Sequence, residues 1–141
     1  MCYLWRIEEK IILYMKRYCQ TLTLVDDEAL IEKYIEVHSH VWPEVLEGQR
    51  EVGILQMEIF RRGRVLFMIC DTVDSFDWER DMARLATLPR QAEWEAYVAR
   101  FQGCDPSAPS SDKWKLMEKI FDSSAQLAAE ASPAINGESQ P

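Results

Sequence analysis

A chain of 141 residues with 24 acidic and 16 basic side chains, net charge −8, has room for one domain with its own core and little more. At 48% hydrophobic and 28% charged it has the composition of an ordinary folded domain, expected to bury about two thirds of the surface of its unfolded chain. Its Lys and Arg are scattered among Asp and Glu, which argues against nucleic acid and against anionic membrane surfaces as partners.

Arg6, Glu8, Glu9 and Lys10 interrupt the apolar pieces of the first fifteen residues, so no signal-peptide core and no membrane span of about 20 apolar residues is present there. The expected location is the cytoplasm. Cys2, Cys19, Cys70 and Cys104 show no CxxC spacing, and in a reducing compartment they are expected to act as small hydrophobes, with neither a disulfide nor zinc.

The first regular element is a strand over Arg17–Leu24, where Tyr18, Gln20, Leu22 and Leu24 alternate with Cys19, Thr21 and Thr23. Asp26 and Asp27 end it and offer caps for a helix from Glu28, in which Leu30, Tyr34, Val37 and Val41 share one stripe. Pro43 is expected to bend or end that helix, a short continuation through Glu47 being open. Two apolar runs, Ile54–Phe60 and Val65–Cys70, flank Arg61–Arg64 with its Gly63 and predict a β-hairpin. Ser75 and Asp77 stand at capping positions before a helical pattern of Trp78, Met82, Leu85 and Ala86. Pro89 breaks that run, and Ala92–Phe101 predicts a further helix with Trp94, Tyr97, Val98 and Phe101 on one side. The stretch from Gly103 to Asp112 predicts a loop, and Trp114–Phe121 a last strand.

This is the β-α-β-β-α-β order of a ferredoxin-like α+β fold, with helices over one face of an antiparallel sheet. The second strand has an apolar face of Leu55, Met57 and Ile59 and a mixed face of Gln56, Glu58 and Phe60, which predicts a homodimer formed through the sheets. The expected organisation is a dispensable N-terminal extension over residues 1–14, one domain over residues 15–122, and a disordered tail over residues 123–141, where Ala, Ser, Pro, Gly and Glu prevail.

The chain has two histidines, and imidazole is the side chain whose ordinary pKa, near 6.5, suits proton transfer in both directions at neutral pH. His38 and His40 lie roughly 200° apart on a helix and cannot share a metal there. His38 follows Tyr34 by one turn, so phenol and imidazole are neighbours on the core-facing flank, while His40 points elsewhere. Residue pattern alone leaves two readings of this pair: amphipathic side chains satisfied at the border of the core, or contacts to a ligand. Trp78, Trp94 and Tyr97 are open in the same way, as core or as pocket wall.

The spacing Tyr34, His38, Trp42-Pro43-Glu44, with an upstream strand, a hairpin containing Met57 and Leu66-Phe67, and a downstream Trp94 with Tyr97, resembles the L-rhamnose mutarotase family over about residues 15–121. The resemblance implies a dimeric α+β barrel with a sugar pocket between helices and sheet, and interconversion of the α and β anomers of a 6-deoxy sugar without a cofactor. L-rhamnose is the first expectation. His38 matches the family's catalytic acid/base and Tyr34 a substrate-contacting tyrosine. Met57 stands where the family usually has a tyrosine against the sugar, and Trp94 with Glu95 where it often has paired tryptophans. These two departures leave the reaction class intact and the identity of the sugar open, and an apparent extra helical turn between Trp78 and Trp94 fits a divergent subgroup acting on L-fucose. Glu44 reads as a brace of the first helix or a surface carboxylate. The rival classes are a monooxygenase or haem-handling protein on the same barrel and a silent sugar-binding module.

Overall fold

The computed structural model describes residues 15–131; the proposed extension over residues 1–14 and the end of the tail lie outside the described residues. Strand β1 (Met15–Thr23) leads into helix α1 (Glu28–His38). The Asp27 carboxylate accepts the Leu30 N–H at 3.1 Å and so satisfies one of the open donors of the first turn. Contrary to expectation, Pro43 does not bend α1. The helix ends at His38, and Pro43 is the first residue of a separate helix, α2 (Pro43–Val52). A proline in that position has no needed N–H to lose, and its ring drives the preceding Trp42 out of helical conformation, which turns the chain. Gly53 closes α2 at φ 102°, where a Cβ would stand 2.7 Å from the Val73 side chain; glycine therefore lets α2 pass straight into β2 (Ile54–Arg62).

The expected hairpin is formed by β2 and β3 (Val65–Val73), and both strands outrun their apolar stretches because Arg61 and Arg62 continue the ladder, leaving Gly63 and Arg64 as the turn. A bulge between Ile54 and Gln56 absorbs Leu55, so Met57 and Ile59 share the helix-covered face with Ile54. Helix α3 (Trp78–Leu85) is capped by Asp77, whose carboxylate accepts the Arg80 N–H at 2.8 Å. Helix α4 (Gln91–Gln102) follows, and one helical turn, α5 (Ser110–Lys113), falls inside the expected loop. The last strand is much shorter than expected: β4 is Lys115–Leu116, opposite Thr21 and Gln20 of β1. Trp114 is buried as the residue that closes α5, and beyond Met117 the chain leaves the sheet, with Ile120 and Phe121 exposed. Where a disordered tail was expected, Ser123–Ala131 forms helix α6, none of whose residues is buried.

The four strands make one antiparallel sheet in the order β2-β3-β1-β4. Its covered face brings Leu22, Leu66, Met68 and Cys70 against Tyr34, Val45, Met82, Trp94 and Phe101 from the helices. The opposite face carries Cys19, Thr21, Phe60, Phe67 and Ile69, with Arg17 paired to Asp71 at 2.8 Å. No helix among the described residues is long and apolar enough to cross a membrane.

Candidate active site

Helix α1 delivers Tyr34 and His38 to the space between helices and sheet, one turn apart as the helical period requires. Their rings lie 4.1 Å apart between centroids, and the Trp94 ring meets the imidazole edge-on at 5.4 Å between centroids. His38 Nδ1 is 2.8 Å from the Tyr34 carbonyl oxygen. A carbonyl only accepts, so Nδ1 carries the proton and Nε2 holds the lone pair. Burial lowers the His38 pKa below its usual value, and the bond to the Tyr34 carbonyl offsets part of that shift, so the imidazole is neutral at neutral pH. Burial moves the Tyr34 phenol upward, partly offset by a hydrogen bond from Gln102, and the phenol keeps its proton.

Trp94 is held from behind. Its ring meets Trp42 at 5.2 Å, and the Arg90 guanidinium lies 4.0 Å from the Trp42 ring centroid. Arg90 adopts φ 62°, an uncommon conformation for a residue with a side chain, at the start of α4, where it also pairs with Glu93 at 2.9 Å and Glu44 at 3.5 Å. Glu44 therefore joins α2 to the start of α4 through Arg90 and does not brace α1.

Glu95 is the most constrained group of the site. Its Oε2 accepts from Lys113 Nζ at 2.9 Å, its backbone carbonyl accepts from the same ammonium at 2.6 Å, and its Oε1 accepts from Gln91 Nε2 at 2.9 Å. The Lys113 side chain has 0% exposure, so this is a buried ion pair with most of its lone pairs and protons engaged.

These groups enclose a cavity of about 50 Å³ bounded by His38, Tyr34, Trp94, Glu95 and Met57, with Gln91, Gln102, Met68 and Met82 among its other walls. At about 10–15 Å³ of such space per water, it holds a few waters. A pyranose enters only if lining side chains move, and Met57 and Met82 are unbranched and adapt at low cost. Tyr34, His38 and Ile59 also border an outer surface groove, so the imidazole stands between the cavity and the outside. All five expected site residues thus meet at one place: the catalytic candidate His38 with Tyr34, Met57, Trp94 and Glu95. His40 is exposed, and its ring bonds the Ser39 hydroxyl. Cys19, Cys70 and Cys104 are free thiols, and no cluster of His, Cys, Asp or Glu among the described residues is arranged to hold a metal.

Sequence reasoning missed Gln91, Gln102 and Lys113. A signal for the glutamines was present: Gln91, Glu95, Val98 and Gln102 follow one another at helical spacing on the stripe that faces the core, where polar side chains are out of place unless they bond something. Nothing in the sequence marks Lys113 as buried.

The profile of the L-rhamnose mutarotase family matches residues 17–123, three quarters of the chain and every element that builds the cavity. The chain belongs to the L-rhamnose mutarotase family. Within it, a protein of Xanthomonas campestris pv. campestris named L-fucose mutarotase is 40% identical over 109 residues, covering 76% of this chain and 87% of that protein. A UPF0734 protein of Dictyostelium discoideum is 35% identical over 111 residues, covering 76% of this chain and 89% of its own. The crystal structure of an L-rhamnose mutarotase from Formosa agariphila superposes with a TM-score of 0.58 at 21% identity over 76% of this chain and 97% of that one, which shows the shared α+β fold. Membership of this mutarotase family makes the protein a sugar isomerase.

Proposed function

We propose that the protein interconverts the α and β anomers of a 6-deoxy-hexose, with L-fucose ahead of L-rhamnose, and that His38 moves the proton. The observation that carries this reading is the His38 imidazole at the wall of a cavity edged by Trp94, with Nδ1 tied to the Tyr34 carbonyl so that Nε2 is the ring's acceptor. L-fucose comes first because the relative named for that sugar is 40% identical over 87% of its length.

In the forward step Nε2 takes the proton of the anomeric hydroxyl as the bond from C1 to the ring oxygen breaks and its electron pair goes to that oxygen. The ring oxygen gains a proton, and C1 becomes an aldehyde. Both oxygens start on the same carbon, so a single imidazole reaches both and hands over the proton it has taken. After rotation about the C1–C2 bond, the same transfers in reverse close the ring on the other face. Trp94 supplies an apolar wall for the carbon face and methyl group, and Tyr34 and Glu95 offer polar contacts. Two-dimensional exchange NMR on L-fucose, L-rhamnose and aldoses with a C6 hydroxyl tests this: exchange above the spontaneous rate should be fastest for L-fucose. Exchange no faster than in buffer for every aldose would sink the proposal.

The working unit proposed is a homodimer closed through the open sheet face. Phe60 is 51% exposed on that face, beside the half-buried Phe67 and Ile69, and burial against a second copy removes this apolar surface from water.

A further inference from the structure

Two buried polar atoms at the cavity have no partner among the described residues: Gln91 Oε1 and Gln102 Oε1. Both side chains line the cavity, and the two residues are only 4% and 7% exposed. Buried acceptors of this kind are uncommon and are a cost to the fold unless something donates to them.

The Gln91 amide is not free to turn its oxygen away. Gln91 Nε2 donates to Glu95 Oε1, and a carboxylate paired with an ammonium accepts only, so the amide nitrogen must face Glu95 and the oxygen must face the other way. Glu95 in turn is pinned by Lys113 at its other oxygen and at its backbone carbonyl. Gln102 donates its amide N–H to the Tyr34 phenol oxygen, and in that orientation its Oε1 is left open; the Tyr34 ring lies beside His38. The cavity therefore offers His38 Nε2, Gln91 Oε1 and Gln102 Oε1, all acceptors, next to the negative charge of Glu95. Such a lining suits a neutral ligand that presents several hydroxyl protons, and it disfavours phosphates and carboxylates, which bring only further acceptors and negative charge.

We propose that Gln91 and Gln102 are specificity-determining residues, each accepting a hydrogen bond from a different non-anomeric hydroxyl of the sugar. This rests on the sugar-isomerase reading of the same cavity. A site built to bond a hydroxyl rejects the analogue lacking it far more strongly than an apolar pocket rejects a change of size, because its own polar group is left unpaired.

The test uses L-fucose and its 2-, 3- and 4-deoxy analogues, with affinity from calorimetry and anomer exchange from NMR, on the wild-type chain and on Gln91→Met and Gln102→Met. Methionine keeps the length and flexibility of glutamine and removes the acceptor. The wild type should bind at least two of the deoxy analogues about tenfold or more weaker than L-fucose. Gln91→Met should abolish the penalty at one hydroxyl and leave the others, and Gln102→Met should do so at a second hydroxyl. A structural role would weaken all four sugars alike. The wild-type measurements stand without any variant: equal affinity for all the analogues overturns the proposal even if neither variant folds. Folded variants that keep the whole wild-type pattern of penalties also overturn it. Fast exchange without hydroxyl penalties refutes the roles of the glutamines and leaves the mutarotase reading intact. Hydroxyl penalties without exchange above the buffer rate refute that reading and support the glutamines.

Discussion

Replacing His38 with glutamine separates a catalytic role from a structural one. Glutamine keeps a polar amide of similar reach but has no titratable nitrogen. The structural loss is bounded by what His38 touches: one hydrogen bond to the Tyr34 carbonyl, worth about 0.5–1.5 kcal/mol, and ring contacts to Tyr34 and Trp94, worth about 0.5–1.5 kcal/mol as aromatic pairs. With one hydrogen bond and two ring pairs, a destabilisation of about 1.5–4.5 kcal/mol is expected, against a total of about 5–15 kcal/mol for a domain of this size. In all but the least stable case the variant remains almost entirely folded. Loss of the acid/base should cost about 10²–10⁴-fold in rate, or about 3–5 kcal/mol of barrier. Urea unfolding gives the first quantity, and anomer exchange per folded protein at saturating sugar gives the second. Stability reduced as stated with exchange within threefold of wild type would refute the assignment of His38 and move the search for the proton-transfer group to Tyr34 and Glu95.

Because burial lowers the His38 pKa, exchange should stay level as pH falls through the ordinary histidine value near 6.5 and decline, approaching about tenfold per pH unit, only once pH is below the lowered pKa of folded His38; a decline centred above 6.5 would contradict a buried neutral base. The same shift acts on stability: below pH 6.5 the unfolded chain binds a proton that folded His38 still refuses, so stability contributed above that pH is lost as pH falls through the folded pKa, and His38→Gln should lose less over this window. Lys113→Met should destabilise the fold by about 3–5 kcal/mol by leaving the Glu95 charge buried without its partner, and adding Glu95→Gln should recover most of that loss in urea titrations; a single-variant cost under about 1 kcal/mol would show that the pair is not buried as described. Sedimentation at micromolar concentration should report a dimer, with Phe60→Asp shifting it to monomer; a wild-type monomer would exclude closure through the sheet face.

Features legible in the sequence were those set by near neighbours in the chain. Asp27 before a helical stripe, the Gly63 turn between apolar runs, and Tyr34 one turn before His38 all follow from local geometry, because periods of 3.6 and 2 place side chains on faces without reference to the rest of the fold. Even the proline at position 43 was readable as a boundary, although whether it closed one helix or opened the next depended on the turn at Trp42. The polar half of the cavity was a different matter. Lys113 lies eighteen positions from Glu95 and reads as a surface residue; only the packing of α5 against α4 removes it from water, and only the carboxylate it meets there makes that burial tolerable. The orientation of the Gln91 amide then follows from that pair. The brevity of β4 was likewise decided in three dimensions, since burying Trp114 at the end of α5 took it out of the strand that its alternation with Leu116 implied. Local periodicity thus determined which residues share a face, while the partners of buried charged and polar groups came from elements distant in the chain, because the cost of removing such groups from water is met by long-range contacts.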